Sequence, residues 1–104
     1  MGYAVFAAKS VAQLQKHIRT ISADTSTVFV TTHARARMKL RRVGIAEVFE
    51  CLRKGVIHRT PEPNAAKGSL ECRMERYIGG RDCAVVVALD DDEPGVIVVT
   101  VMIV

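Results

Sequence analysis

At Gly55 the hydrophobic pattern of this chain changes its period, and few folds accommodate both halves. Before it, Ile45, Val48, Phe49 and Leu52 fall at i, i+3, i+4 and i+7, one face of a helix over Ile45–Lys54 that Gly55 stops. After it, Leu70, Cys72 and Met74 alternate with Glu71, Arg73 and Glu75, the mark of a strand with one dry and one charged face. Ala84–Leu89 and Val96–Val104 are then continuously apolar, as expected of strands covered on both sides. The connections between these three strands hold a Gly79-Gly80 pair and an acidic turn, Asp90–Glu93, with Pro94-Gly95. Both are too short for parallel crossovers, so the strands run antiparallel. With Val56–Thr60 as a further short strand, the class is α+β: N-terminal helices packed on a four-stranded antiparallel sheet.

Upstream, Ser10 caps a first helix to about Ile21, where Val11, Leu14, Ile18 and Ile21 form one apolar stripe. Thr27–Thr31 is a short β-favouring piece, and Thr32 caps a second helix through about Arg42, ended by Gly44. Pro61–Lys67, with two prolines, reads as a loop. The 104 residues make one domain, with 1–26 as an N-terminal helical extension and 27–104 as the core. No apolar run reaches the length of a membrane-spanning helix, and the run Tyr3–Ala8 has no basic segment ahead of it, which argues against a secretory signal. Cys51, Cys72 and Cys83 have no redox or zinc spacing and read as free, buried thiols of a cytoplasmic protein. Three scattered His and three scattered Cys supply no metal-ligand pattern, so neither metal nor cofactor is expected.

Charge is unevenly distributed. Residues 1–60 carry 11 Lys/Arg against 3 Asp/Glu, and residues 61–104 carry 4 against 8. That polarity points to a basic face for a polyanion or an acidic partner. The second helix concentrates it: His33, Arg37 and Arg41 lie at i, i+4 and i+8, with Arg35, Lys39 and Arg42 nearly opposite. His33 stands in the first helical turn, where backbone N–H groups favour an anion. A charge run by itself reads first as a solvated helix face. Glu71 and Arg73, two apart on one strand, share a face and suit a base beside a phosphate-stabilising cation, or a plain cross-strand ion pair. Thr100 is the one polar side chain in the last nine residues, either a core hydroxyl bonded locally or, beside Arg73 across the sheet, a phosphate ligand.

The run Thr32-His33-Ala34-Arg35-Ala36-Arg37-Met38, followed by Arg42-Val43-Gly44-Ile45 and a helix ending in Gly55, resembles a bacterial family of domains of unknown function numbered 4258. The apolar ending Val96–Val101 with Thr100 resembles it too, and the likeness covers about residues 28–102. That family is similar to the RelE and BrnT toxins, and Glu71-x-Arg73 resembles the Glu-x-Arg strand of BrnT-type proteins. The resemblance implies a barnase–RelE-like fold and a metal-independent endoribonuclease, the toxin of a toxin–antitoxin pair whose partners are RNA and an acidic antitoxin. On that reading His33, Glu71 and Arg73 are catalytic, and Arg37, Arg41 and Thr100 hold phosphate. The alternative is a non-catalytic module that binds nucleic acid or protein, dimeric through its apolar C-terminal strand.

Overall fold

The computed structural model describes residues 2–104. A short helix α1 (Ala4–Ala7) precedes α2 (Val11–Ile21), and a 3-10 turn at Thr25–Thr27 leads into β1 (Val28–Val30). Helices α3 (Thr32–Arg41) and α4 (Ile45–Lys54) follow, then β2 (Val56–Ile57), β3 (Glu62–Asn64), β4 (Ser69–Ile78), β5 (Arg81–Leu89) and β6 (Val96–Ile103). Ser10 starts α2 as expected: its Oγ accepts from the Gln13 N–H at 3.1 Å, and Gln13 Oε1 accepts from the Ser10 N–H at 2.8 Å. The two amphipathic helices close each other's ends. Arg19 of α2 donates to the carbonyls of Gly55 and Lys54 at 2.6 and 3.1 Å, and Arg53 of α4 donates to the Ser22 carbonyl at 2.8 Å. Carbonyls that a helix leaves orphaned are thereby satisfied by cations that also suit its dipole.

The class is α+β, and β4, β5 and β6 form the antiparallel body of the sheet. The strand order is β1-β6-β5-β4-β2, with β3 also paired to β4, so short strands widen the sheet beyond four. One of them, β1, runs parallel to β6, which helix α3 and the elements after it make possible by supplying a long crossover. Gly79 and Gly80, with φ of 58° and 84°, make the β4–β5 turn in a conformation that β-carbons resist. Inward side chains Leu70, Cys72, Met74, Val85, Val87 and Val98 pack with Leu14, Ile18, Val48 and Leu52 into one core. All three cysteines are free and buried.

Several boundaries differ from the sequence reading. Thr31, not Thr32, caps α3: its hydroxyl accepts from the Ala34 N–H at 3.1 Å and donates to the Val98 carbonyl at 3.0 Å, riveting the helix start to β6. Helix α3 ends at Arg41 and is capped by Arg42, which takes a left-handed φ of 54°, while Gly44 instead starts α4. The strand expected over Val56–Thr60 is only two residues long, and the Pro61–Lys67 loop contains β3. The last strand is not covered on both sides. Val96, Val98 and Val101 are buried, but Ile97, Val99, Thr100 and Met102 face the side of the sheet away from α2 and α4 and are half-exposed.

Candidate functional site

That open side is where the charged residues collect. Strand parity sends Ser69, Glu71, Arg73 and Glu75 outward from β4, and the register fixes their neighbours. Glu71 pairs with Ala88, which pairs with Ile97; Arg73 pairs with Val86, which pairs with Thr100. A β-bulge between Val86 and Val87 leaves Val99 as an extra residue on β6, so Val99 and Thr100 both reach the open side. Beyond β1, helix α3 lies along β6, burying Ala34 and Met38 and presenting His33, Arg37 and Arg41 beside Val99, Thr100 and Met102. Two strand spacings, about 10 Å, separate β4 from β6, with small Ala88 and Val86 of β5 on the floor between them, and the second charged bank lies on α3 beside β6.

The β4 bank is a groove of about 170 Å³ that contains Glu71 and Arg73 together with Arg59, Thr60 and Glu62. The Arg73 side chain is only 15% exposed; its Nη2 lies 3.5 Å from Glu75 Oε1, and its Nε–H is buried with no acceptor. Glu71 accepts from Asn64 Nδ2 at 3.2 Å and faces Glu62 across the β3–β4 pair. The α3 bank is a groove of about 340 Å³ whose charged lining is His33, Arg37 and Arg41, all exposed and with no carboxylate among the lining residues. Both grooves are bounded by Met102. All six residues singled out in the sequence thus face one side of the sheet, Glu71 with Arg73 and His33 with Arg37, Arg41 and Thr100. They do not form a single contact cluster.

The family model for a domain of unknown function, DUF4258, matches residues 30–103, which span α3, α4 and all three long strands. The chain belongs to that family. No curated protein and no solved structure matches it. The match leaves α1 and α2 outside, so the DUF4258 part contains both banks of the open face while the extension supplies core residues beneath it.

Sequence reasoning missed Arg59, Glu62 and Ser69 because they sit beside prolines or at a loop end. The usable signal was the Pro61-Glu62-Pro63 spacing, since a proline-bearing segment can still pair as an edge strand. The acidic turn lies neither on the arginines nor at a remote end. Asp91 accepts from the Val5 and Phe6 N–H groups at 3.0 and 3.3 Å, fixing α1, and Asp90 and Glu93 line a third groove with His33. Backbone N–H donation from Asp92, and then from Gly2, holds the Asp90 carboxyl below the usual range. Among the described residues no helix is long and apolar enough to cross a membrane. Strand β6 has β5 on one side and β1 on the other over Val96–Val98, so its face rather than its edge is open to a partner.

Proposed function

We propose that the open sheet face binds RNA and cleaves it without a metal. The observation that carries this reading is Arg73, a guanidinium held on a rigid strand with a buried, acceptorless N–H inside a groove. Burying such a donor is unfavourable unless an acceptor arrives, and a phosphate oxygen is the acceptor a guanidinium fits best. A phosphate lying over Val86 and Ala88 has Glu71 and Arg73 on one side and His33 and Thr100 on the other. Glu71 takes the proton of the ribose 2′-hydroxyl, whose oxygen attacks phosphorus; the bond to the 5′ oxygen breaks, and His33 returns a proton to it. The products are a 2′,3′-cyclic phosphate and a free 5′-hydroxyl. Arg73 stabilises the charge gathering on the non-bridging oxygens, and Arg37 and Arg41 hold the next phosphate along the strand.

Purified protein incubated with total RNA in chelator tests this. Cleavage should survive chelation and be lost in Arg73→Ala and His33→Ala. Salt-sensitive RNA binding without any cleavage product would reduce the face to a binding module, and absence of both would remove the reading. A role as the toxin of a pair, restrained by an acidic partner on the α3 bank, is part of the same proposal, supported by the acid-free lining around Arg37 and Arg41.

A further inference from the structure

A further groove on the open face, of about 840 Å³, lies at the end of the sheet where α3 begins, and of the two charged banks only His33 reaches it. Its apolar lining is Ala88, Ile97 and Val99, and its polar groups are Ser69, Lys67 and Glu93, with His33 and the Asp90 carboxylate, which already accepts from backbone N–H groups. Ser69 is only 5% exposed, strand parity turns it toward the groove, and its hydroxyl has no hydrogen-bond partner. A buried hydroxyl left open in this way is unfavourable unless a ligand completes it. The neighbouring Thr31 hydroxyl has no proton to offer a ligand, since it already donates to Val98. The Glu93 carboxylate is exposed and makes no ion pair or side-chain hydrogen bond among the described residues, and Lys67, also exposed, lines the same groove.

These groups discriminate among bases. A carboxylate accepts two parallel N–H donors best. Guanine presents such a pair, its N1–H and amino group, with the O6 acceptor adjacent. Adenine and cytosine set one amino donor beside a ring-nitrogen acceptor, and uracil has one N–H between two carbonyls that a carboxylate repels. A lysine suits O6, and apolar walls suit the face of a ring. We infer that this groove is a guanine pocket: Glu93 receives the N1–H and amino donors, Lys67 reaches O6, and the Ser69 hydroxyl gains the partner it lacks. The inference rests on the RNA reading for its biological ligand, and it adds the base that would sit next to the cut phosphate.

Titration of the full chain with GMP, IMP, AMP, CMP and UMP at fixed low salt tests it. GMP should bind about tenfold more tightly than AMP, CMP or UMP, and IMP, which lacks the amino donor, should fall between. Glu93→Gln should erase the preference for GMP over AMP. Ser69→Ala should weaken GMP binding about fivefold while keeping the order of the bases. Equal binding of all nucleotides, no binding of any of them at millimolar concentration, or an unchanged preference in Glu93→Gln would each overturn the pocket. Those outcomes are separable from failure of the RNA reading, which is judged by chelator-resistant cleavage and salt-sensitive RNA binding in wild-type protein. A base preference with no RNA binding would keep the pocket as a nucleotide site and discard the nuclease.

Discussion

Arg73 on β4 and Arg37 on α3 bring the same charge to the same face of the sheet, yet the fold treats them oppositely. Arg73 is mounted in the middle of a ten-residue strand, paired with Val86 of β5 on one side and lying between the β2 and β3 pairings on the other, with its side chain 15% exposed and one N–H orphaned. Arg37 stands on a ten-residue helix, exposed, in a groove without carboxylates. A solvated arginine incurs almost no desolvation penalty and needs no explanation. A buried one with an open donor is unfavourable, and an acceptor arriving in the groove would relieve it. On the proposed reading the β4 bank is the place for chemistry, and the α3 bank the place for attraction.

The largest expected effect follows from that asymmetry. Arg73→Met should lower chelator-resistant cleavage by about 10²–10³-fold, the range for losing one group that stabilises developing charge. The same variant should keep or raise Tm, because the long apolar side chain fills the site without an orphaned donor. A lower Tm together with retained cleavage would reverse the roles of the two banks.

On the α3 bank, Arg37→Glu with Arg41→Glu should weaken RNA binding at low salt and leave Tm nearly unchanged. Two phosphate contacts fewer should make the slope of log K against log salt shallower by about 1.4 for single-stranded RNA. Unchanged affinity and slope would show the stripe to be a solvated helix surface, and binding would then rest on Arg73 and Arg59 alone.

The contrast also shows what a sequence can carry. Parity along β4 put Glu71 and Arg73 on one face correctly, because a period of two survives whatever the strand pairs with. The bounds of α4 were equally legible, since four apolar positions and Gly55 agree. Chain order could not show that α3 lies against β6. That placement depends on β1 pairing in parallel with β6 and on the Thr31 hydroxyl reaching Val98, 67 residues away. The cap at Thr31 rather than Thr32 has the same root, for either threonine can cap a helix and the strand selects one. The end of α3 at Arg42 carried no glycine signal because the left-handed position is held instead by bonds to the helix carbonyls.

Rigidity of the β4 bank has its own reporter in Cys72, which lies between Glu71 and Arg73 and points into the core. Burial pushes the thiols of Cys51 and Cys72 up to about 12, from 9.0 for a free thiol. A raised folded-state value means that stability is fully present below pH 9 and is lost as pH climbs toward 12. Each thiol should remove about 1.4 kcal/mol per pH unit across that window. Chemical denaturation at pH 8 and pH 10 should show Cys72→Ala with a smaller alkaline loss than wild type, despite a lower starting stability. Equal losses, or fast labelling of Cys72 at pH 8, would mean that β4 opens and that Arg73 is not rigidly held.

The α3 bank has a single rigid anchor at its far end, and loosening it gives the smallest effect. Arg81, at the start of β5, donates to the carbonyls of Arg41 and Arg42 at 2.7 and 2.9 Å and to Glu47 Oε2 at 3.1 Å. One side chain therefore closes the C-terminal end of α3, complements its dipole and joins it to α4. The guanidinium is a third exposed, so the ion pair with Glu47 is screened and the carbonyl bonds supply most of the effect. Arg81→Ala should destabilise the domain by about 1 kcal/mol, or about 4 °C in Tm for a chain of this size. Amide exchange should quicken in the last turn of α3 while the β4 amides keep their protection. If β4 loosened as well, the two banks would be one cooperative unit, and the division between a rigid chemical bank and a compliant attractive one would not hold. If neither changed, Thr31 and β6 alone would position Arg41, and the anchor would lie at the start of the helix.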